Sequence, residues 1–126
     1  MKFKTMMIIK ALVCLGFGIP ILFFPAFLYG LFGIHPTGVG ALYPAQEYSA
    51  AMLGILFLCW IGRNIEPSLG RKAISWAMLV YNGIGFVITL ILVLSGTVSP
   101  LLWGIVAVYL LLALGFGYFV LNPSAP

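Results

Sequence analysis

The sequence predicts an all-α membrane protein: an antiparallel bundle of four transmembrane helices with both termini cytoplasmic. Three observations predict it. Of 126 residues, 63% are hydrophobic and 6% charged, with a mean hydropathy of +1.21, whereas a soluble domain is about 25% charged. The apolar residues form four continuous runs and do not alternate with polar ones. Finally, the Lys and Arg residues are one-sided. Lys2, Lys4 and Lys10 precede the first run, Arg63, Arg71 and Lys72 lie between the second and third, and the linkers after the first and third runs hold none. Because Lys and Arg stay on the cytoplasmic face of a membrane, this bias sets orientation.

A spanning helix needs about 20 apolar residues. The runs place spans at about 11–32, 45–61, 73–94 and 101–120 in one 126-residue domain. The first run lacks a small-x-small cleavage site and is too long for the core of a signal peptide, so it reads as a retained helix. Pro20 and Pro25 lie within it, and each removes a backbone donor and clashes with the carbonyl four residues back. The expectation is either a bent continuous helix or a stretch 25–32 lying along the outer interface.

Turn chemistry separates the runs. Gly33 to Gly38 and Tyr43-Pro44 part the first pair, Arg63 to Gly70 the second pair and Ser95 to Pro100 the third. Ser68 is an expected N-cap of the third helix, and Ser99 caps the fourth with Pro100 at its first position. Short linkers predict up-down neighbours. The tail from Asn122 to Pro126 is expected to be disordered, and so small a bundle to enclose little space. Trp60, Trp76 and Trp103 fall near helix ends, where amphipathic rings anchor at the interface.

Lipid gives helices no hydrophobic reason to associate, so small residues spaced by four, which allow close backbone approach, mark contacts. Ala50 with Gly54, Ala73 with Ala77, and Ala113 with Gly117 form such stripes, for packing within the bundle or against another protomer.

Candidate chemistry is sparse. Glu47 is expected in the first turn of the second helix, favoured there by the macrodipole, or else above a small-residue stripe facing the bundle, with His35 and Tyr43 in reach. Asn82 lies mid-helix and needs a partner across the bundle, expected to be Tyr109 at similar depth. Glu47, His35, Asn82 and Tyr109 are therefore the candidate polar pathway or ligand contacts. Cys14 and Cys59 share a depth near the cytoplasmic face and are expected as free thiols. Arg63, Arg71 and Lys72 are expected to meet lipid headgroups or a partner. With one His and two acidic residues, catalysis is poorly provisioned. The chain is therefore not expected to be an enzyme, nor to carry a cofactor or metal. A basic stripe with interleaved aromatics, which would suit nucleic acid, is absent.

The runs from Phe24 to Gly33, Gly54 to Asn64 and Trp103 to Tyr118 loosely resemble the DoxX-like group of small four-helix bacterial membrane proteins. The resemblance is one of texture and carries over no functional residue. It implies a bacterial inner-membrane bundle and an accessory role in a larger complex. The function expected is thus a structural or accessory subunit, partnered by membrane lipids and by other membrane subunits or itself. The alternatives are a small oligomeric transporter or channel, and a binder of lipid, pigment or quinone.

Overall fold

A computed structural model describes all 126 residues. It contains five helices and no strand: α1 (Phe3–Phe23), α2 (Pro25–Leu31), α3 (Val39–Gly62), α4 (Leu69–Leu94) and α5 (Leu102–Leu121). Four of them, all but α2, are long and apolar enough to cross a membrane. Their outward faces are lined by large apolar side chains, among them Leu12, Phe57, Ile84, Ile91, Leu111 and Leu114. The buried positions include Lys10, Ser49, Arg71, Ser75 and Asn82. Apolar outside with polar groups satisfied inside is the distribution that hydrocarbon as solvent selects, and it marks an integral membrane protein.

The first helix corrects the expected boundaries. It begins at Phe3, not near residue 11, and carries Lys10 inside it. The expected start stopped at the charge, but Phe3, Met6, Met7, Lys10, Ala11 and Cys14 follow helical spacing and are all buried. Of the two outcomes weighed for Pro20 and Pro25, the chain takes the break. Phe24 leaves helical geometry at φ −136°, ψ 53°, its N–H still bonded to the Pro20 carbonyl, and Pro25 opens α2. α3 likewise starts six residues earlier than expected, at Val39 in place of about 45, so Pro44 lies in its second turn. Ser68 caps α4 by accepting from the Arg71 N–H at 3.2 Å. Ser99 holds the approach to α5 by accepting from the Leu101 N–H at 3.2 Å, and the helix proper begins at Leu102, beyond Pro100.

The spans pair as α1 with α3 and α4 with α5, while α1 meets α5 more sparsely. Despite their short connection, α3 and α4 nowhere bring Cα atoms within 8 Å of each other, contrary to the expected hairpin neighbours. A common core of Phe3, Met6, Met7, Cys59, Met78 and Phe116 joins the pairs at one end. Farther along, the core divides: Cys14, Ile21, Ala45 and Met52 pack between α1 and α3, and Val93, Leu102 and Val106 between α4 and α5.

The two ends are tied differently. Where the core is shared, the chain termini meet: Phe3 N–H donates to the Pro126 carbonyl at 2.8 Å, and the Arg71 guanidinium donates to the Ala125 carbonyl. Arg71 stacks over the Phe3 and Phe119 rings, at 4.3 and 5.4 Å. The tail expected to be disordered is therefore pinned. At the other end the Ser99 N–H donates to the Phe32 carbonyl at 2.8 Å, linking the α2–α3 connection to the α4–α5 turn. Gly33 makes this joint possible. It sits at φ +73°, and a Cβ there would lie 2.7 Å from the Ser99 nitrogen. Left-handed geometry alone costs an L-residue about 1–2 kcal/mol. Gly33→Ala is expected to lower stability by about 2–3 kcal/mol once the lost joint is included, read as an earlier unfolding transition in an SDS titration. An unchanged transition would show the joint to be unimportant.

Candidate functional site

Each of the four spans sends a polar side chain to one place between the helix pairs. From α1, Lys10 Nζ donates to Asn82 Oδ1 on α4 at 2.9 Å and lies 4.1 Å from the centroid of the Tyr81 ring. From α3, the Tyr48 hydroxyl lies 2.6 Å from that of Tyr81 on α4 and 2.9 Å from that of Tyr109 on α5. Lys10 and Asn82 are 1% and 0% exposed. Asn82 donates one of its two Nδ2 hydrogens to the Met78 carbonyl at 2.6 Å. The Asn82–Tyr109 bond expected from depth is not formed. Asn82 is taken by Lys10, and Tyr109 by Tyr48.

Gly85 positions Tyr109: a Cβ on it would meet the ring at 2.5 Å, so only glycine lets the ring lie against α4.

These groups line a cavity of about 300 Å³. Its remaining wall is mostly apolar, with Phe17 from α1, Tyr29 from α2, Phe32 from the following turn, Ile88 from α4 and Ile105 from α5. The pocket is partly open, as the 62% exposure of Ile88 on its wall shows. The room exists because α3 and α4 stand apart beyond the shared core. Its size lies at the lower bound of small-molecule sites, which are typically apolar pockets of about 300–1,000 Å³ with a few fixed polar groups.

Lys10 has no carboxylate in reach. The chain's two acidic residues, Glu47 and Glu66, are both exposed, and Lys10 finds only Asn82 as a hydrogen-bond partner. The hydroxyl chain also has a surplus. Three phenols bring three protons, and two hydroxyl–hydroxyl contacts use two of them, leaving one to donate elsewhere. Thr89 adds nothing, since its hydroxyl donates to the Gly85 carbonyl at 2.7 Å. The wall therefore offers spare donors and one amine whose cationic form no carboxylate of the chain balances.

The other candidate residues are placed away from this site. Glu47 is the ninth residue of α3, beyond the helix end where a macrodipole acts, and it points outward to accept from the Tyr43 hydroxyl at 2.8 Å. His35 is exposed and does not join them. Ala50, Gly54, Ala73 and Ala77 lie on exposed faces, whereas Ala113 is buried and Gly117 packs near Leu79 of α4. Arg71 is 4% exposed and committed to the tail, which corrects its assignment to lipid headgroups. Arg63 is half-buried, stacks on Trp60 at 4.3 Å and donates to its carbonyl, while Lys72 is exposed. Cys14 and Cys59 are buried free thiols.

Sequence reasoning missed Lys10 and Tyr48. Lys10 stands at the buried-face spacing of Met6, Met7 and Cys14, and that periodicity was the available signal. Tyr48 had none beyond its position on the face of Ala45 and Met52. No known protein family matches this sequence, and no curated protein and no solved structure matches it either.

Proposed function

We propose that this chain is an antiparallel four-span bundle, with both termini on the cytoplasmic side of a bacterial inner membrane, that binds a lipophilic small molecule between its two helix pairs. The observation carrying this reading is the cavity itself: an apolar chamber into which the spans converge one lysine, one asparagine and three tyrosines. Ionisable groups at membrane depth are costly and accompany function more often than architecture. Lys10 stands seven residues into α1, about 10 Å along its axis. The orientation is supported by Lys2, Lys4, Arg63 and Lys72, which remain at the end where the termini meet, and the bacterial setting by the DoxX-like texture. The test is mass spectrometry of the protein extracted in mild detergent, with denaturing release of bound molecules. One lipophilic species per chain is the expected result, and preparations that are repeatedly empty would overturn the reading.

An accessory or self-associating role is a second reading. It is supported by the outward-facing stripes Ala50–Gly54 and Ala73–Ala77, which find no partner within the chain. It is compatible with ligand binding by the same bundle.

A further inference from the structure

From the balance of charge and donors around the cavity, we infer that its ligand is a single-chain carboxylic acid, whose carboxylate pairs with Lys10 and whose hydrocarbon tail fills the apolar chamber. The inference rests on the proposed ligand-binding function and names the class of ligand.

The bonding of the wall selects the head group. Lys10 carries three donors and gives one to Asn82, and the tyrosine chain holds one spare proton. The acceptor of Asn82 is already engaged and Thr89 is engaged as a donor, while Asn82 keeps one amide N–H beyond the one it gives to the Met78 carbonyl. The group that matches these donors is an acceptor with more than one lone-pair site, which a carboxylate supplies on two oxygens. Charge narrows the choice further. A carbonyl or ester would satisfy the donors without pairing an ammonium, and an unpaired charge in hydrocarbon is lost by neutralisation, whereas a carboxylate lets the amine hold its proton. A phosphate monoester brings a charge near −2 and would leave negative charge in excess. One carboxylate cancels one ammonium.

Size selects the tail. A water molecule's share of liquid volume is about 30 Å³, and a methylene group is comparable, so a chamber of about 300 Å³ holds on the order of ten such groups. That matches the bulk of one medium-length chain. Phe17, Ile88 and Ile105 present apolar surface to it.

The probes are decanoic acid, methyl decanoate and decan-1-ol, titrated into the purified full chain and into Lys10→Met in the same micelles, so that partitioning into detergent cancels. A charge-assisted hydrogen bond is worth about 1.5–3 kcal/mol, so the acid-to-ester affinity ratio is expected to fall about tenfold to hundredfold in Lys10→Met. A second measurement needs no variant. The carboxyl resonance of bound [1-¹³C]decanoic acid is expected to stay in its ionised position at a pH where micelle-dissolved acid is half protonated, because a nearby cation favours the carboxylate. Acid and ester binding equally to the wild type, with a bound carboxyl that titrates like the free one, would overturn the head-group assignment and leave ligand binding standing. Failure of all three probes to bind a chain that also releases no native ligand would overturn both.

Discussion

Asn82→Leu is expected to destabilise the protein by about 2–3 kcal/mol, and adding Lys10→Met to it to restore most of that loss. Asn82 Oδ1 is the one hydrogen-bond acceptor that Lys10 has, at 2.9 Å in a fully buried setting. Removing it leaves the Lys10 amine without an acceptor among apolar side chains, and a hydrogen bond from it in its charged form is worth about 1.5–3 kcal/mol. Bonds between membrane helices average less than this, about 0.6 kcal/mol for neutral pairs, because the unfolded helices also find partners. The charge on Lys10 puts this bond at the upper end. Lys10→Met removes the charge together with its need, and replacing a buried charged group by an apolar one of similar shape is often neutral or stabilising. The double substitution is therefore expected to melt within about 1 kcal/mol of the wild type. Unfolding in SDS, followed by circular dichroism across the four proteins of the cycle, gives the coupling energy. Additive effects would show that Lys10 and Asn82 do not depend on each other.

Arg71→Ala is expected to cost about 3 kcal/mol and to free both chain ends. The guanidinium makes a charge-assisted bond to the Ala125 carbonyl and lies over two aromatic rings. A desolvated cation–π contact contributes up to about 2 kcal/mol, and the charged hydrogen bond about 1.5–3. These terms overlap, so the sum is discounted. The Phe3 amide reports the event directly, because its N–H is bonded to the Pro126 carbonyl. Hydrogen exchange at Phe3 is expected to accelerate by two orders of magnitude or more in Arg71→Ala, and Arg71→Lys to recover little, since an ammonium lacks the planar fork that stacks on rings. Unaltered protection at Phe3 would show that the tail is held by other contacts.

What the sequence revealed and what it hid follow from the same physics. Continuous apolar runs disclose spans because hydrocarbon tolerates no irregular backbone, and the Ser68 cap was legible because a hydroxyl before a helix start has one evident use. Helix starts were misread at charge and proline. In the sequence Lys10 reads as a flanking residue, yet the apolar stem of a lysine can pack while its head finds a partner, and here Asn82 lies 72 residues away in sequence. Pairing across such separations leaves no trace in local spacing, which is also why Tyr109 was matched with Asn82 by depth when Tyr48 was its neighbour. Arg71 has the same history: its position suggested lipid, and a tail 54 residues on claimed it. The small-residue stripes were legible as faces, but composition does not say which neighbour, if any, a face receives.

The separation of α3 from α4 gives the molecule the form of a half-open book. Its spine is the shared core near the termini, and a clasp at the opposite edge joins Phe32 to Ser99. Across the fore-edge the Tyr48 and Tyr81 hydroxyls meet at 2.6 Å, so side chains lace the leaves together where their backbones stand apart.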